Sequence, residues 1–299
     1  MNTLELTRRE ALQFGGAGLL GAALASHVAA AGPTKKILYF TKSSGFEHSV
    51  VRRKGNELAF SEKVLTEFGK QHGFDVTATK DGRVFDGDHL QYDVYVFFTT
   101  GDLTKVGKDK APAMSPAGKQ ALLDAIRGGK GFIGVHSATD SFHTAGPRDK
   151  NQPHPDPYIA MIGAEFISHG AQQTAHMTLV DPKFPGMEKL GNGFELHDEW
   201  YTMKNFAPDL HVLLVNETKG MKGPAYQRPP YPATWARREG KGRVFYTSMG
   251  HREDVWTNPI FQDVMLGGMR WTTGLAQADV PPNKDRVTPG AATLGKRKR

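Results

Sequence analysis

The chain has 299 residues, 38% of them hydrophobic, enough to bury the core of one large domain or two small ones. It has no cysteine, which excludes disulfides, thiolate ligands and a cysteine nucleophile and leaves His, Asp, Glu, Ser, Tyr and Lys for site chemistry. The net charge of +7 is dispersed apart from the last four residues, Lys296 to Arg299, and no nucleic-acid module accompanies it, so it is read as a solubility feature without a nucleic-acid partner.

Residues 1–31 read as an export signal. Arg8-Arg9 form a twin-arginine pattern, an apolar Gly/Ala-rich run follows from Phe14 to about Val28, and Ala29-Ala30-Ala31 is a small-residue cleavage site. The run is too short and too weakly apolar for a stable membrane span. The expectation is a Tat-exported protein, periplasmic or extracellular.

Lys36 to Thr41 is an apolar run that predicts the first strand, and the polar loop Lys42 to Ser49 contains His48. Helical periodicity runs from about Lys54 to Gln71 and stops at Gly73. Phe74 to Thr79 alternates as a second strand. Tyr92 to Thr100 is a strongly apolar third strand. Ser115-Pro116 opens a helix to Arg127, with Ser at the cap and Pro in the first turn. Phe132 to Val135 is a short buried strand between glycines that ends at His136. This βαβ order predicts a doubly wound, flavodoxin-like α/β core with right-handed crossovers.

A long Pro- and His-rich loop, 142–158, reads as a lid or insertion, with His143 and His154 open to solvent. The second half is β-rich: His176–Val180, His211–Asn216, Thr234–Arg237 and Arg243–Thr247 read as strands, the last two joined by a turn. A final helix runs from Asn258-Pro259 through Trp271 to Gly274. The Pro/Gly-rich segment 276–299 reads as a disordered basic tail.

His48, His136, His169 and His251 each follow a strand or a glycine turn, and segment 197–199 adds a histidine and two carboxylates. If the first, third, fourth and Arg243–Thr247 strands lie side by side, His48, His136 and His251 share the carboxyl edge of the sheet, where open α/β sheets bind ligands. Imidazoles and carboxylates converging there suit one divalent Zn, Mn or Fe ion, or general acid–base work. His48, His136, His251 and Glu199 are the candidate catalytic residues. His136 and His169 are the favoured metal ligands. Trp200, Tyr201 and Asp140 are candidates for holding substrate, the two aromatics by stacking on a sugar ring. Gly134-Val135-His136-Ser137-Ala138 is not G-x-S-x-G, which argues against a serine hydrolase.

Thr41 to His48, Gly131 to Ala138, Asp198 to Tyr201, and Gly240 to Thr247 with Gly250-His251 together resemble the ThuA (trehalose utilisation) family over roughly residues 35–275. The resemblance implies a class I glutamine amidotransferase-like fold with β-rich C-terminal additions. It places His136 where amidotransferases carry their cysteine, so that activity should be absent. It also implies a role in sugar utilisation, plausible substrates being keto derivatives of disaccharides. The alternative is a non-catalytic carbohydrate-binding or accessory protein.

Overall fold

The computed structural model describes residues 34–295; the segment 1–31 expected to be an export signal and the last four basic residues lie outside them. Within those bounds the chain runs β1 (Lys35–Phe40), α1 (Phe60–Gln71), β2 (Phe74–Thr79), β3 (Val94–Phe97), α2 (Pro116–Gly128), β4 (Gly131–Val135), α3 (Pro157–Ile162) and β5 (Glu165–His169). It continues through β6 (Gln173–Leu179), β7 (Gly193–Asp198), β8 (Tyr201–Lys204), β9 (His211–Glu217), β10 (Tyr231–Glu239), β11 (Gly242–Thr247), α4 (Glu253–Trp256), α5 (Pro259–Thr272) and α6 (Lys284–Val287). Among the described residues no helix is long and apolar enough to cross a membrane.

Nine strands form one sheet in the order β2-β1-β3-β4-β11-β10-β9-β6-β7. Neighbours from β2 to β11 are parallel, and those from β11 to β7 are antiparallel. The parallel half has the flavodoxin strand order, with β11 as its fifth strand. The predicted doubly wound fold is therefore present. Its β-rich second half extends the same sheet, with β5 and β8 as a separate two-stranded pair.

Strand residues alternate between two apolar layers, as the two-residue period of a pleated strand requires. Tyr39, Ile133, Val135 and Phe245 pack with Leu65 of α1 and with Met265 and Trp271 of α5. Leu38, Phe40, Phe132 and Tyr246 pack on the other face with Leu122 and Ile126 of α2 and with Tyr158 and Ile162 of α3. Burial on both faces explains why the parallel strands read as unbroken apolar runs. The polar residues just past their ends stand at the carboxyl edge.

Three expectations change. Helix α1 begins at Phe60, not Lys54, because Gly55 takes a positive φ of +60° in a turn and Glu62 caps the later start by accepting the Ala59 N–H at 2.8 Å. Loop 142–158 is stitched down rather than free: Gln152 N–H donates to Asn205 Oδ1 at 2.7 Å, and Lys119 pairs with Asp156 at 2.8 Å. Residues 276–295 are packed, not disordered. Val212 N–H donates to Asn283 Oδ1 at 2.7 Å, Arg228 donates to the Ala291 carbonyl at 2.6 Å, and Ala291 is buried. Composition counted the prolines and glycines of this segment, but a few anchors suffice to hold it.

Candidate active site

Four elements deliver the site. The loop after β1 carries His48, the turn after β4 carries His136, and the loop after β11 carries His251. Glu199 sits where the chain leaves β7 in the large sheet and enters β8 in the small one. Because β1, β3, β4 and β11 are neighbours, their carboxyl ends share one edge. His136 turns sharply there, with φ of +45°, in the left-handed region that non-glycine residues rarely enter. Gly101, with φ of +76°, allows the loops after β1 and β3 to touch, since a Cβ there would lie 2.5 Å from the Gly45 nitrogen. Ser49 Oγ donates to Glu253 Oε1 at 2.6 Å, tying the His48 loop to the His251 loop.

One ligand-type atom from each of His48, His136, Glu199 and His251 lies within 4.8 Å of the others. His251 Nδ1 is 3.1 Å from Glu199 Oε2 and 3.3 Å from His136 Nε2. His136 Nδ1–H donates to the Ser248 carbonyl at 2.9 Å, which turns Nε2 toward Glu199 Oε2 at 3.6 Å. His48 Nε2 lies 3.3 Å from the Tyr201 hydroxyl, and its buried Nδ1 has no hydrogen-bond partner. Four of the seven buried polar side-chain atoms without a partner among the described residues (His48 Nδ1 and the hydroxyls of Ser43, Ser137 and Ser248) follow β1, β4 or β11, so unmet polar capacity gathers at this edge.

The protonation states of His48 and Glu199 suit cation binding. Burial, then the neighbouring His136 and His251, push His48 down to about 2, so it is neutral. Burial opposes ionisation of Glu199, yet hydrogen bonds from His136 and His251 outweigh it and hold the carboxyl well below its ordinary value. Burial likewise opposes charging His251, but the Glu199 hydrogen bond and charge raise it. Burial raises Asp198, whose carboxylate accepts the Glu199 N–H at 2.9 Å and the Gly250 N–H at 2.7 Å and so fixes both backbones. A neutral His48 and an ionised Glu199 are the forms in which these side chains bind divalent ions, whereas His251 has to give up the proton that Glu199 favours before it can join them. This donor set, with the orphaned His48 nitrogen, fits such an ion.

A model of the ThuA family, described as trehalose utilisation, matches residues 36–272. The chain belongs to the ThuA family. Two solved structures resemble this ThuA protein in fold. A ThuA-like protein from Bacteroides uniformis ATCC 8492 is 19% identical, with a TM-score of 0.57 over 80% of this chain and 91% of that one. Another from Parabacteroides merdae ATCC 43184 is 19% identical, with a TM-score of 0.55 over 88% and 97%. No curated protein matches the sequence.

Of the residues singled out in this ThuA sequence, His48, His136, His251 and Glu199 come together. His169 stays outside the four-residue group: its side chain is 41% exposed, and its Nδ1 faces Glu199 Oε1 at 3.1 Å and the Gly170 carbonyl at 2.8 Å. It therefore backs the Glu199 carboxylate instead of joining His136 as a ligand. Trp200 is fully buried, with its indole N–H donating to the Gln173 carbonyl at 2.8 Å, so it is core and offers no face to a sugar. Tyr201 is also buried, its ring centroid 4.3 Å from that of His136, so it packs against that imidazole and has no open face for a sugar. Asp140 is partly open at the end of the His136 turn, with Oδ1 accepting from His143 Nε2 at 2.8 Å. His143 is half-buried between Asp140 and Glu165, against the expectation of an exposed loop histidine; His154 is exposed, as expected. Exposed His197 points away from the group. Sequence reasoning missed the Ser248 carbonyl that sets the His136 tautomer; its only trace was the polar end of the β11 run.

Proposed function

We propose that this ThuA protein is an exported enzyme of carbohydrate utilisation, acting on a disaccharide or its keto derivative with a divalent metal held by His48, His136, His251 and Glu199. The convergence of three imidazoles and one ionised carboxylate within 4.8 Å carries this reading. A purely sugar-binding crevice calls for amides and exposed aromatics more than for four titratable donors. Bound there, a Zn, Mn or Fe ion supplies Lewis acidity toward a sugar carbonyl or hydroxyl. Tyr201, kept neutral by burial, holds His48 through the phenol–Nε2 contact. His169, with Nδ1 fixed by Glu199 and Gly170, has Nε2 as the atom that takes and returns a substrate proton at the solvent side. The twin arginines and small-residue cleavage site support export.

The test is elemental mass spectrometry on the natively exported protein, paired with NMR detection of deuterium entering a keto-disaccharide next to its carbonyl. The wild type is expected to hold about one equivalent of metal and to catalyse exchange, as a four-donor site implies. His136→Ala should lose both while keeping its circular dichroism. Unchanged metal and exchange in that variant would overturn the proposal.

A further inference from the structure

Resting on that reading, we propose that Phe46 and Asp140 form a second-ring subsite that selects a disaccharide over a monosaccharide. Phe46 is 59% exposed, yet its ring lies edge-on to His48 with centroids 4.9 Å apart. Of the two exposed phenylalanines, Phe46 and Phe60, only Phe46 packs against an imidazole of the site. A sugar unit stacked on this ring would therefore be the immediate neighbour of the unit held at the histidine group.

The backbone beneath the ring is fixed on both sides. Gly45 N–H donates to the Thr100 carbonyl at 3.0 Å, Thr100 Oγ1 donates to the Phe46 carbonyl at 2.7 Å, and Glu47 pairs with Lys80 at 3.6 Å and with Arg52 at 3.3 Å. The phenyl face is thus presented without a loop having to order on binding, which limits the entropic cost of association. Pyranose rings carry C–H groups on one face, and these suit an open aromatic ring.

The same strip of backbone leads to the polar partner. Gly101 N–H, next to Thr100, donates to the Asp140 carbonyl at 2.7 Å. Phe46, Thr100-Gly101 and Asp140 therefore form one stitched rim over the ends of β1, β3 and β4. Asp140 commits Oδ1 to His143, with Arg148 at 3.7 Å from the same oxygen. Its Oδ2 makes no hydrogen bond among the described residues and can accept from sugar hydroxyls. An exposed phenyl face and a carboxylate acceptor carried on one backbone rim are groups that a second sugar ring can engage.

The experiment is isothermal titration of the full mature protein, metal content measured alongside, with trehalose and with glucose as probes. Phe46→Ala is expected to weaken trehalose binding about tenfold, a loss of one aromatic stacking contact, and to leave glucose binding and metal content unchanged. Phe46→Trp should restore trehalose affinity, and Asp140→Asn should weaken trehalose more than glucose. Equal trehalose affinity in wild type and Phe46→Ala overturns the subsite alone. A metal-loaded wild type that binds neither sugar overturns the carbohydrate reading and the subsite with it.

Discussion

His143 shows how one imidazole can hold a loop. Burial opposes its charge, but hydrogen bonds to Asp140 and Glu165 raise its pKa above the ordinary value. A histidine whose folded pKa is raised contributes stability that is fully present below its unfolded pKa of about 6.5 and is lost as pH climbs through the folded value. The melting-temperature gap between wild type and His143→Gln should therefore be wider near pH 6 than near pH 9, read by differential scanning calorimetry. A gap that does not change with pH would contradict the ion-pair role. Residue by residue, the sequence revealed His136 because it ends an apolar run abruptly, and His48 and His251 because each lies in the polar stretch that follows such a run. It concealed the direction of Trp200, which falls in the bend between β7 and β8 where the alternation of faces is broken. It concealed Phe46 too, because a lone aromatic in a loop belongs to no periodic pattern.

Among the elements, the small β5–β8 sheet supports the site from the side. Glu165 and Lys204 are register partners on it, with both side chains fully buried and 3.5 Å apart. Removing one charge from such a pair leaves the other uncompensated, a cost of about 3–5 kcal/mol. His143 and Asn205 still serve Glu165, with Asn205 Nδ2 donating to it at 2.9 Å, so Lys204→Met is expected at the low end, about 3 kcal/mol by urea unfolding. A loss below about 1 kcal/mol would show that the pair contributes no more than a surface one. These two strands were the least legible part of the fold. Glu165 to His169 follows a glycine turn and carries three polar residues in five, so it lacks the apolar signature that betrayed β3 and β4.

Across the whole molecule, residues 276–295 act as a strap over the antiparallel half of the sheet. Asn283 exchanges two hydrogen bonds with Val212, and Arg228 reaches the Ala291 carbonyl. Ending the chain after Ala276 removes these three bonds, at roughly 1 kcal/mol each, together with those that the Pro281, Ala278 and Ala292 carbonyls accept from His211, Trp271 and Asn151 and the one that Asn283 N–H donates to Leu210, so the expected cost is at least about 3 kcal/mol. For a domain of this size that lowers the melting temperature by several degrees, with metal content retained. An unshifted melting temperature would mean the strap adds nothing to stability. The strand order has a consequence for how the protein is made. The last strand in sequence, β11, lies at the middle of the sheet, between β4 and β10. While it is still inside the ribosome, the parallel and antiparallel halves have no shared edge, and His251, just beyond it in the chain, has not emerged either. The nascent chain thus carries two unfinished sheets with open flanks until nearly all of it has emerged. Pairing across such sequence distances makes assembly slow, and it makes the gathering of His48, His136, Glu199 and His251 a late event that reports on completion of the entire domain.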